Sequence, residues 1–336
     1  MERRQLGASG VAVSTVGLGT WPMSGQWWGE ADDATSVRTI HRALDLGINL
    51  IDTAEGYGQG HAEEVVGRAL AGRRHEATIA DKVAPNHLEP AAIRVAFEGS
   101  CRRMGTDHID VYFVHWPNID VPIAEIMGEM ERLREEGKIR AIGVSNFTAA
   151  EMAEAGRWGR IDVLQPPYNL FWRQIERDEV PYCREHNIGI MTYSSLAQGL
   201  LTGTLSRETR FAEGDKRPTT VLFQPERYAR CLDAVEQMRP VAAKYGKTLA
   251  QTAIAWVAGR PGVSTALLGA RTPAEIEENA GGVGWALADA DLTLLDSYAR
   301  PVAEGLSPYP DMFHNWRQSE LQRRRYERSG RLPQEA

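Results

Sequence analysis

Eight short runs rich in β-branched residues alternate with helical patterns along most of this chain. Strands and helices in this regular order are typical of βα units, which place parallel strands side by side in one sheet. The eight predicted strands are residues 13–18, 48–51, 77–80, 109–114, 140–144, 163–165, 189–193 and 265–268. Eight such units close a sheet on itself. The pattern therefore predicts an α/β fold, a (β/α)8 TIM barrel, as a single domain over residues 1–336.

Two segments lie outside the eight units. Residues 3–11, with a turn at 7–10, predict a small N-terminal β-hairpin. Residues 301–336 are rich in proline, arginine and aromatic residues and predict an extended C-terminal tail that is irregular or partly helical. The arginines of this tail could bind an anion, but a solvated helical face or a subunit contact is the simpler interpretation.

Composition narrows the class of protein. The net charge of −7 gives no support for nucleic-acid binding. No stretch reaches the ~20 apolar residues that a membrane helix needs, and the N-terminus lacks the apolar core of a signal peptide. The three cysteines are widely spaced and form no CxxC pair, which predicts free thiols. We therefore expect a cytoplasmic protein that is not inserted in a membrane.

Four polar side chains come at the ends of strand-like segments or just after them. Asp52, Lys82 and His115 each follow such a segment, and Tyr57 lies in a glycine-rich loop five residues after Asp52. Functional groups at the carboxyl ends of barrel strands typically form an active site. A phenol has a reference pKa of about 10, which a neighbouring ammonium lowers. The four side chains therefore predict acid–base chemistry on a carbonyl or an alcohol, with the imidazole orienting the substrate oxygen.

Each of the four also has a simpler structural interpretation. Tyr57 could be a loop residue, Lys82 a strand-end lysine, Asp52 a turn or cap residue, and His115 a core histidine. Their occurrence together favours the catalytic interpretation. A metal site formed by His108 and His115 is disfavoured, because their odd spacing of seven sends them to opposite faces of a strand. We expect no metal.

These residues, together with further ordered motifs, resemble the aldo-keto reductase superfamily, in particular its bacterial and channel-β-subunit-like members. The motifs are residues 16–21, 52–58, 115–117, 142–147, 165–169, 193–200 and 269–271. The resemblance covers nearly the whole chain and implies a hairpin that plugs the bottom of the barrel. It also implies an NAD(P)(H)-dependent oxidoreductase that transfers a hydride between nicotinamide and an aldehyde, ketone or sugar. Tyr57 would then be the general acid or base.

The resemblance implies a nicotinamide cofactor extended across the barrel mouth. The segment 17–22 lacks the third glycine and the βαβ context of a Rossmann fingerprint, so it does not indicate that fold. The implied cofactor residues are Gly19, Thr20 and Trp21, then Ser145, Asn146 and Gln165 at the carboxamide, Tyr193 under the ring, Ser194, Leu196, Gln198 and Gly199 at the pyrophosphate, Gly269, Ala270 and Arg271 at a helix N-terminus, and Glu278 and Asn279 at the adenine.

Two positions depart from the family. Glu275 stands where arginine or glutamine is usual. A carboxylate there would repel a 2′-phosphate and could accept a hydrogen bond from a 2′-hydroxyl, unless it merely complements the helix dipole. Arg271 can bind a 2′-phosphate bidentately, so we expect NADPH, with NADH as an alternative because of Glu275. Asp81 replaces a small or hydroxyl residue, and we expect it to face the helices.

Aromatic residues in loops after strands predict a substrate site for a flat apolar face, such as an aryl carbonyl or a sugar ring. They are Trp21, Trp27, Trp28, Trp116 and Phe171, and loop packing is the competing explanation. Three other functions stay open. They are a cofactor-binding regulatory subunit resembling channel β subunits, a sugar oxidoreductase with tightly held NAD, and a metal-dependent hydrolase using Asp52 and His115. The sequence leaves an oligomer possible and does not name the substrate.

Overall fold

Eight parallel strands form a closed barrel at the centre of the molecule. The computed structural model describes residues 1–306, 311–313 and 319–328. The barrel strands are β3 Val16–Gly19, β4 Leu50–Asp52, β5 Thr78–Val83, β6 Ile109–Val114, β7 Ile139–Ser145, β8 Val163–Gln165, β9 Gly189–Thr192 and β10 Val263–Gly269. They pair in chain order, and β10 closes the barrel against β3. The predicted (β/α)8 TIM barrel is confirmed.

Helices surround the barrel and cover its outer face. They are α1 Asp33–Asp45, α2 His61–Leu70, α3 Pro90–Met104, α4 Ile123–Glu135, α5 Ala149–Ala155, α6 Glu179–Glu185, α7 Pro225–Lys244, α8 Leu249–Ala258, α9 Pro273–Ala280, α10 Asp289–Ala303 and α11 Glu320–Arg328. Among the described residues, none of the helices combines the length and apolar character needed to cross a bilayer. All three cysteines are free and buried.

A two-stranded hairpin closes the amino-terminal end of the barrel. Strand β1 Arg3–Gln5 pairs antiparallel with β2 Ala12–Ser14. The buried side chains of Leu6 and Val13 pack with the interior core of the barrel, as a plug would. Gly7 allows the close approach, because a Cβ atom there would lie 2.4 Å from the carbonyl oxygen of Asp162.

The hairpin corrects one strand boundary. The continuous run 13–18 predicts one strand, but it contains the end of β2 and the start of β3. The backbone N–H of Ser14 donates to the side chain of Asn49 instead of continuing a barrel ladder. That bond comes from a residue 35 positions away, so periodicity could not show it.

The described part of the C-terminal tail is partly helical, one of the two alternatives that its composition predicts. Helix α10 continues through Pro301, and α11 contacts the barrel end through Gln322 and Arg325, which donate to the carbonyl oxygens of Pro117 and Asn146. Arg325 in α11 is only 4% exposed, so the predicted solvated face is wrong at this position. Two of the tail's arginines, Arg317 and Arg331, lie outside the described residues.

The barrel interior is narrow, and glycine leaves room for large neighbours. A Cβ atom on Gly143 of β7 would lie 2.2 Å from the buried ring of Phe113 in β6. We expect Gly143→Ala to lower the free energy of unfolding by ~1–3 kcal/mol, because overpacking displaces that ring.

The matched control is Gly128→Ala within α4, where no atom lies within 4 Å of the added Cβ. It should raise the free energy of unfolding by roughly 0.5–1 kcal/mol, because alanine favours the helix. Urea unfolding of both variants measures the two effects. Equal stability of Gly143→Ala and the wild type would contradict the packing argument.

Candidate active site

Asp52, Lys82 and Tyr57 form one hydrogen-bonded group at the carboxyl end of the barrel. Nζ of Lys82 lies 2.7 Å from Oδ1 of Asp52 and 3.2 Å from the phenol oxygen of Tyr57. The same nitrogen donates to the carbonyl oxygen of Thr53 at 2.7 Å. An ammonium has three protons to donate, so each has a partner and the side chain is held in one orientation.

The structure corrects the place of Lys82 in its strand. The sequence predicts a strand that ends at residue 80, but β5 extends to Val83 and contains Lys82. Neighbouring side chains alternate, so Lys82 points into the barrel and Asp81 toward the helices. On that helical side, as expected, burial and the carboxylate of Glu63 in α2 hold the pKa of Asp81 well above its usual range.

Lys82 keeps its positive charge although it is fully buried. Burial alone would lower its pKa, but the carboxylate of Asp52 and the phenol of Tyr57 outweigh that effect and raise the pKa. Asp52 uses its second oxygen to accept a hydrogen bond of 2.8 Å from the side-chain amide of Gln165. Burial raises the pKa of Asp52, and Lys82 and Gln165 oppose the rise. The pair is therefore desolvated and hydrogen-bonded at the same time.

Tyr57 presents a protonated hydroxyl to the barrel mouth. Burial raises its pKa above the ordinary value, and the charge of Lys82 only partly opposes this. Lys82 lowers the pKa of Tyr57 as expected, but the larger effect of burial could not be seen in the sequence. Since Lys82 donates to the phenol oxygen, the phenol's own proton is directed away from the ammonium. That geometry suits an acid more than a phenolate.

His115 stands beside Tyr57 with its ring edge-on, the ring centroids 5.9 Å apart. Burial, and to a smaller extent the charge of Lys82, lower its pKa to about 3. Its backbone carbonyl accepts a 3.0 Å hydrogen bond from the side chain of Asn146. A neutral imidazole can orient a substrate oxygen without adding charge.

The four side chains face a cleft of about 510 Å³ at the barrel mouth, into which Asp52, Tyr57 and His115 open directly. Predicted residues that also line it are Gly19, Trp21, Trp27, Trp28, Trp116, Ser145, Asn146, Gln165, Tyr193, Ser194, Leu196, Gln198, Gly199, Gly269, Ala270, Arg271 and Glu275. Trp21 is at the centre of the aromatic wall, with centroids 6.0 Å from Tyr57, 5.7 Å from Trp27 and 5.3 Å from Trp28.

Four of the residues predicted to bind cofactor or substrate do not line the cleft. Phe171 is fully buried in the core, where its backbone N–H donates to the side chain of Asn169. Thr20 is buried and donates to the carbonyl oxygen of Asp52. Glu278 and Asn279 lie along α9 behind the cleft, and the Asn279 amide donates back to Gly269. A residue's position in a loop or helix, which the sequence shows, does not determine the direction of its side chain.

One side of the cleft is built from strained backbone. Ser194, Ala197 and Gln198 have positive φ angles of 51°, 49° and 56°, and Gly199 has 98°. Positive φ costs energy in residues with a Cβ atom and clusters at functional sites. This turn faces the N-terminus of α9, whose backbone amides favour an anion. The residues present therefore fit an extended dinucleotide with its phosphates on this side.

Arg271 and Glu275 stand together at the start of α9. The carboxylate of Glu275 accepts a 2.7 Å hydrogen bond from the backbone N–H of Arg271. The guanidinium of Arg271 reaches the carbonyl oxygen of Glu30. Both side chains line the cleft, so opposite charges share the place expected for an adenosine 2′-substituent.

Sequence analysis missed residues that reach the cleft from distant segments. Arg217 lies over the ring of Trp28 at 5.2 Å, and Thr220 donates to Gln198 at 3.0 Å. Phe313 of the tail lies parallel to Tyr193, with centroids 6.1 Å apart and planes at 6°. Neither the loop 203–220 nor the tail has a periodic pattern, so no sequence signal pointed to them.

The chain was compared with known proteins by sequence. The model of the aldo/keto reductase family matches residues 15–300. The aldo-keto reductase YhdN of Bacillus subtilis (strain 168) is 41% identical over 302 residues, which cover 87% of this chain and 91% of that protein. The NADH-specific methylglyoxal reductase of Escherichia coli (strain K12) is 35% identical over 330 residues, 91% of this chain and 99% of that protein.

Solved structures give the same result. The glycerol dehydrogenase AKR11B4 of Gluconobacter oxydans has a TM-score of 0.82 and 39% identity, covering 91% of this chain and 97% of that chain. An aldo-keto reductase of Klebsiella pneumoniae in complex with NADPH has a TM-score of 0.73 and 33% identity, covering 90% and 96%.

We expect the imidazole of His115 to stay neutral between about pH 5 and 8. Its pKa is about 3 in the fold and near 6.5 when unperturbed, so the unfolded chain binds the extra proton first. His115 therefore makes the fold less stable as the pH falls from about 6.5 to about 3, and it contributes no pH dependence above that range.

An NMR titration of the histidine rings tests this expectation, with His115→Asn to assign the signal. The His115 resonance should not shift above about pH 5. A midpoint between pH 6 and 7, as for an exposed histidine, would show that the buried, uncharged state is wrong.

Proposed function

Since this chain belongs to the aldo/keto reductase family, we propose that Tyr57 is the proton donor with which it reduces an aldehyde or ketone to an alcohol. The family is one of NAD(P)H-dependent oxidoreductases, and a nicotinamide cofactor supplies the reducing equivalents. The observation that carries the proposal is the 3.2 Å hydrogen bond from Lys82 to the phenol oxygen. It directs the remaining phenol proton toward the substrate position.

The chain's own residues divide the work of the proposed reaction. When bound, the nicotinamide delivers hydride to the carbonyl carbon. His115 orients the carbonyl oxygen as a neutral donor, and Tyr57 transfers its proton to that oxygen. Lys82 stabilises the phenolate left behind, because it already donates to that atom. Asp52 keeps the ammonium in place, and a proton from solvent restores Tyr57.

We further propose where the chain holds the cofactor. Ser145, Asn146 and Gln165 hold the carboxamide, and the ring of Tyr193 lies under the nicotinamide. This is supported by their common place in the cleft and by the 2.8 Å bond from the Tyr193 hydroxyl to the Asn146 side chain. The pyrophosphate follows the strained turn at 194–199 toward α9.

The proposed substrate is a small carbonyl compound with a flat or apolar face. Trp21 stacks on the ring of Tyr57, and Trp27 and Trp28 pack on Trp21, so the three form an apolar wall beside the phenol. The relatives named for their substrates act on methylglyoxal and glycerol, which are small oxygenated molecules. An aryl aldehyde such as 4-nitrobenzaldehyde is therefore a suitable first probe.

We propose NADPH as the preferred cofactor, with Arg271 binding the 2′-phosphate and Glu275 limiting the preference. The carboxylate of Glu275 is held at the helix N-terminus, where a phosphate would also be attracted. Repulsion between the two anions weakens the binding of NADPH but not the binding of NADH, which has only a hydroxyl at that position.

Tyr57→Phe should lower kcat for 4-nitrobenzaldehyde at least ~100-fold, because general acid catalysis is lost. The NADPH dissociation constant should stay within about twofold of wild type, because the change removes one hydroxyl. Tyr298→Phe in α10 is the matched control and should leave kcat unchanged. Stopped-flow oxidation of NADPH measures the chemical step. A Tyr57→Phe enzyme with wild-type turnover would show that another group is the acid.

Glu275→Gln should tighten NADPH binding roughly tenfold and leave NADH binding nearly unchanged, since a tenfold change corresponds to ~1.4 kcal/mol of removed repulsion. Glu277→Gln on the same helix is the control, because Glu277 pairs with Arg42 and does not line the cleft. Fluorescence titration with both nucleotides decides the question. Unchanged NADPH affinity in Glu275→Gln would exclude this carboxylate as the determinant.

A further inference from the structure

The C-terminal helix α11 reaches the cofactor half of the cleft through one buried side chain. Arg325 is only 4% exposed although arginine is normally a surface residue. Its guanidinium donates a 2.7 Å hydrogen bond to the backbone carbonyl of Asn146. It also forms an ion pair with Glu151 and donates to Gln322 on its own helix. The guanidinium therefore bridges three chain segments at one point.

The carbonyl that Arg325 holds belongs to a strained residue. Asn146 has a φ angle of 63°, so its peptide is held in the left-handed region. Its carbonyl is buried, and a buried carbonyl without a partner is unfavourable. The bond from Arg325 supplies that partner and opposes a turn of the peptide back to the ordinary conformation.

The side chain of Asn146 connects this peptide to the proposed nicotinamide site. Its oxygen accepts from the hydroxyl of Tyr193 at 2.8 Å. Its nitrogen donates to the carbonyl oxygen of His115 and to Oγ of Ser145, both at 3.0 Å. Rotation of the Asn146 peptide would move all three of these contacts together.

Glu151 makes the bridge rigid on the barrel side. It is the third residue of α5 and forms a capping box with Thr148, whose backbone N–H donates to the Glu151 carboxylate at 2.8 Å. That helix begins at Ala149, three residues after Asn146. The same carboxylate thus anchors the start of α5 and the guanidinium of Arg325.

A second part of the C-terminal segment touches the same site. Phe313 lies parallel to Tyr193 at 6.1 Å and edge-on to Trp21 at 5.8 Å. Met312, beside it, is fully buried, and its carbonyl accepts from the backbone of Val221 at 3.1 Å. Two separate parts of the tail therefore contact the proposed ring site, since Phe313 packs on Tyr193 and Arg325 binds the carbonyl of Asn146.

We propose that Arg325 is a positioning residue for the nicotinamide half of the cofactor. By holding the Asn146 carbonyl, the docked C-terminal helix keeps Asn146, Tyr193 and the backbone of His115 in the geometry that receives the carboxamide and ring. This inference rests on the proposed function. It assigns the tail a role in binding the nicotinamide half of the cofactor, while binding of the adenosine half does not depend on the tail.

The test compares the whole cofactor with a fragment that lacks nicotinamide. The probes are NADPH and 2′-phospho-ADP-ribose, or NADH and ADP-ribose if the wild type prefers NADH. Arg325→Gln should raise the dissociation constant for the whole cofactor about tenfold or more and leave that of the fragment within about twofold. Arg325→Lys should lie between, because it keeps one donor but not the planar fork.

Arg324→Gln is the matched control on the same helix. Arg324 binds Asp120 through two hydrogen bonds of 2.9 and 2.6 Å and, among the described residues, makes no hydrogen bond to Asn146. Its loss removes an anchor of α11 but not the bridge, so cofactor affinity should stay within about twofold of wild type.

Glu151→Gln removes the charge that pairs with Arg325, while glutamine can still form the capping box. This variant should also weaken binding of the whole cofactor and leave binding of the fragment unchanged. It replaces Arg325→Gln as the deciding variant if Arg325→Gln does not fold.

Three results would overturn the proposal. In the first, Arg325→Gln binds the whole cofactor with wild-type affinity. In the second, it loses affinity equally for the cofactor and for the fragment. In the third, Arg324→Gln also loses affinity for the whole cofactor but not for the fragment. An equal loss with a lower Tm would indicate a purely structural role for the bridge. Failure of the wild-type protein to bind either nucleotide would instead contradict the proposed function.

Discussion

The buried ion pair between Lys82 and Asp52 is the interaction on which the rest of the site depends. Moving two charges from water into the protein interior costs several kcal/mol, which their mutual attraction and their hydrogen bonds must offset. Breaking such a buried pair costs at least about 3 kcal/mol. Here the ammonium donates to Asp52, Thr53 and Tyr57, and Asp52 also accepts from Gln165. The barrel provides these partners from β4, β5, β8 and the loop after β4. The pair therefore requires the closed sheet, and the proposed proton transfer requires the pair.

The same network joins the two halves of the cleft. Gln165 holds Asp52 on the proton-donating side, and its backbone oxygen accepts from Ser145 at 2.8 Å on the side proposed for the carboxamide. Asn146 continues the connection to Tyr193 and His115. A displacement of residues on one side therefore moves residues on the other. The docked tail adds Arg325 to this hydrogen-bond network at Asn146. Orientation of the reactants is then a property of the whole barrel mouth rather than of single residues.

Sequence pattern predicted those parts of the site that follow from strand ends. Asp52 and His115 could be assigned because parallel strands in a barrel end at one face. The prediction was weaker where a side chain's direction depends on packing, so Phe171 lies in the core and Asn279 behind the cleft. The predicted lowering of the Tyr57 pKa by Lys82 is present, but burial outweighs it, for a related reason. The neighbouring charge is visible in the sequence, whereas the extent of burial is a property of the folded molecule.

The sequence by itself determined the barrel and its N-terminal hairpin and predicted the residues proposed as the acid–base group, because alternation and spacing are local properties of the chain. Only the tertiary structure decided that Lys82 lies inside β5, that Thr220 and Phe313 meet the cleft, and that Arg325 is buried. These contacts join residues that are far apart in the chain, such as Asn146 and Arg325 or Trp21 and Phe313. Such pairs leave no periodic signal, since their proximity arises from packing among distant elements and not from the conformation of either segment.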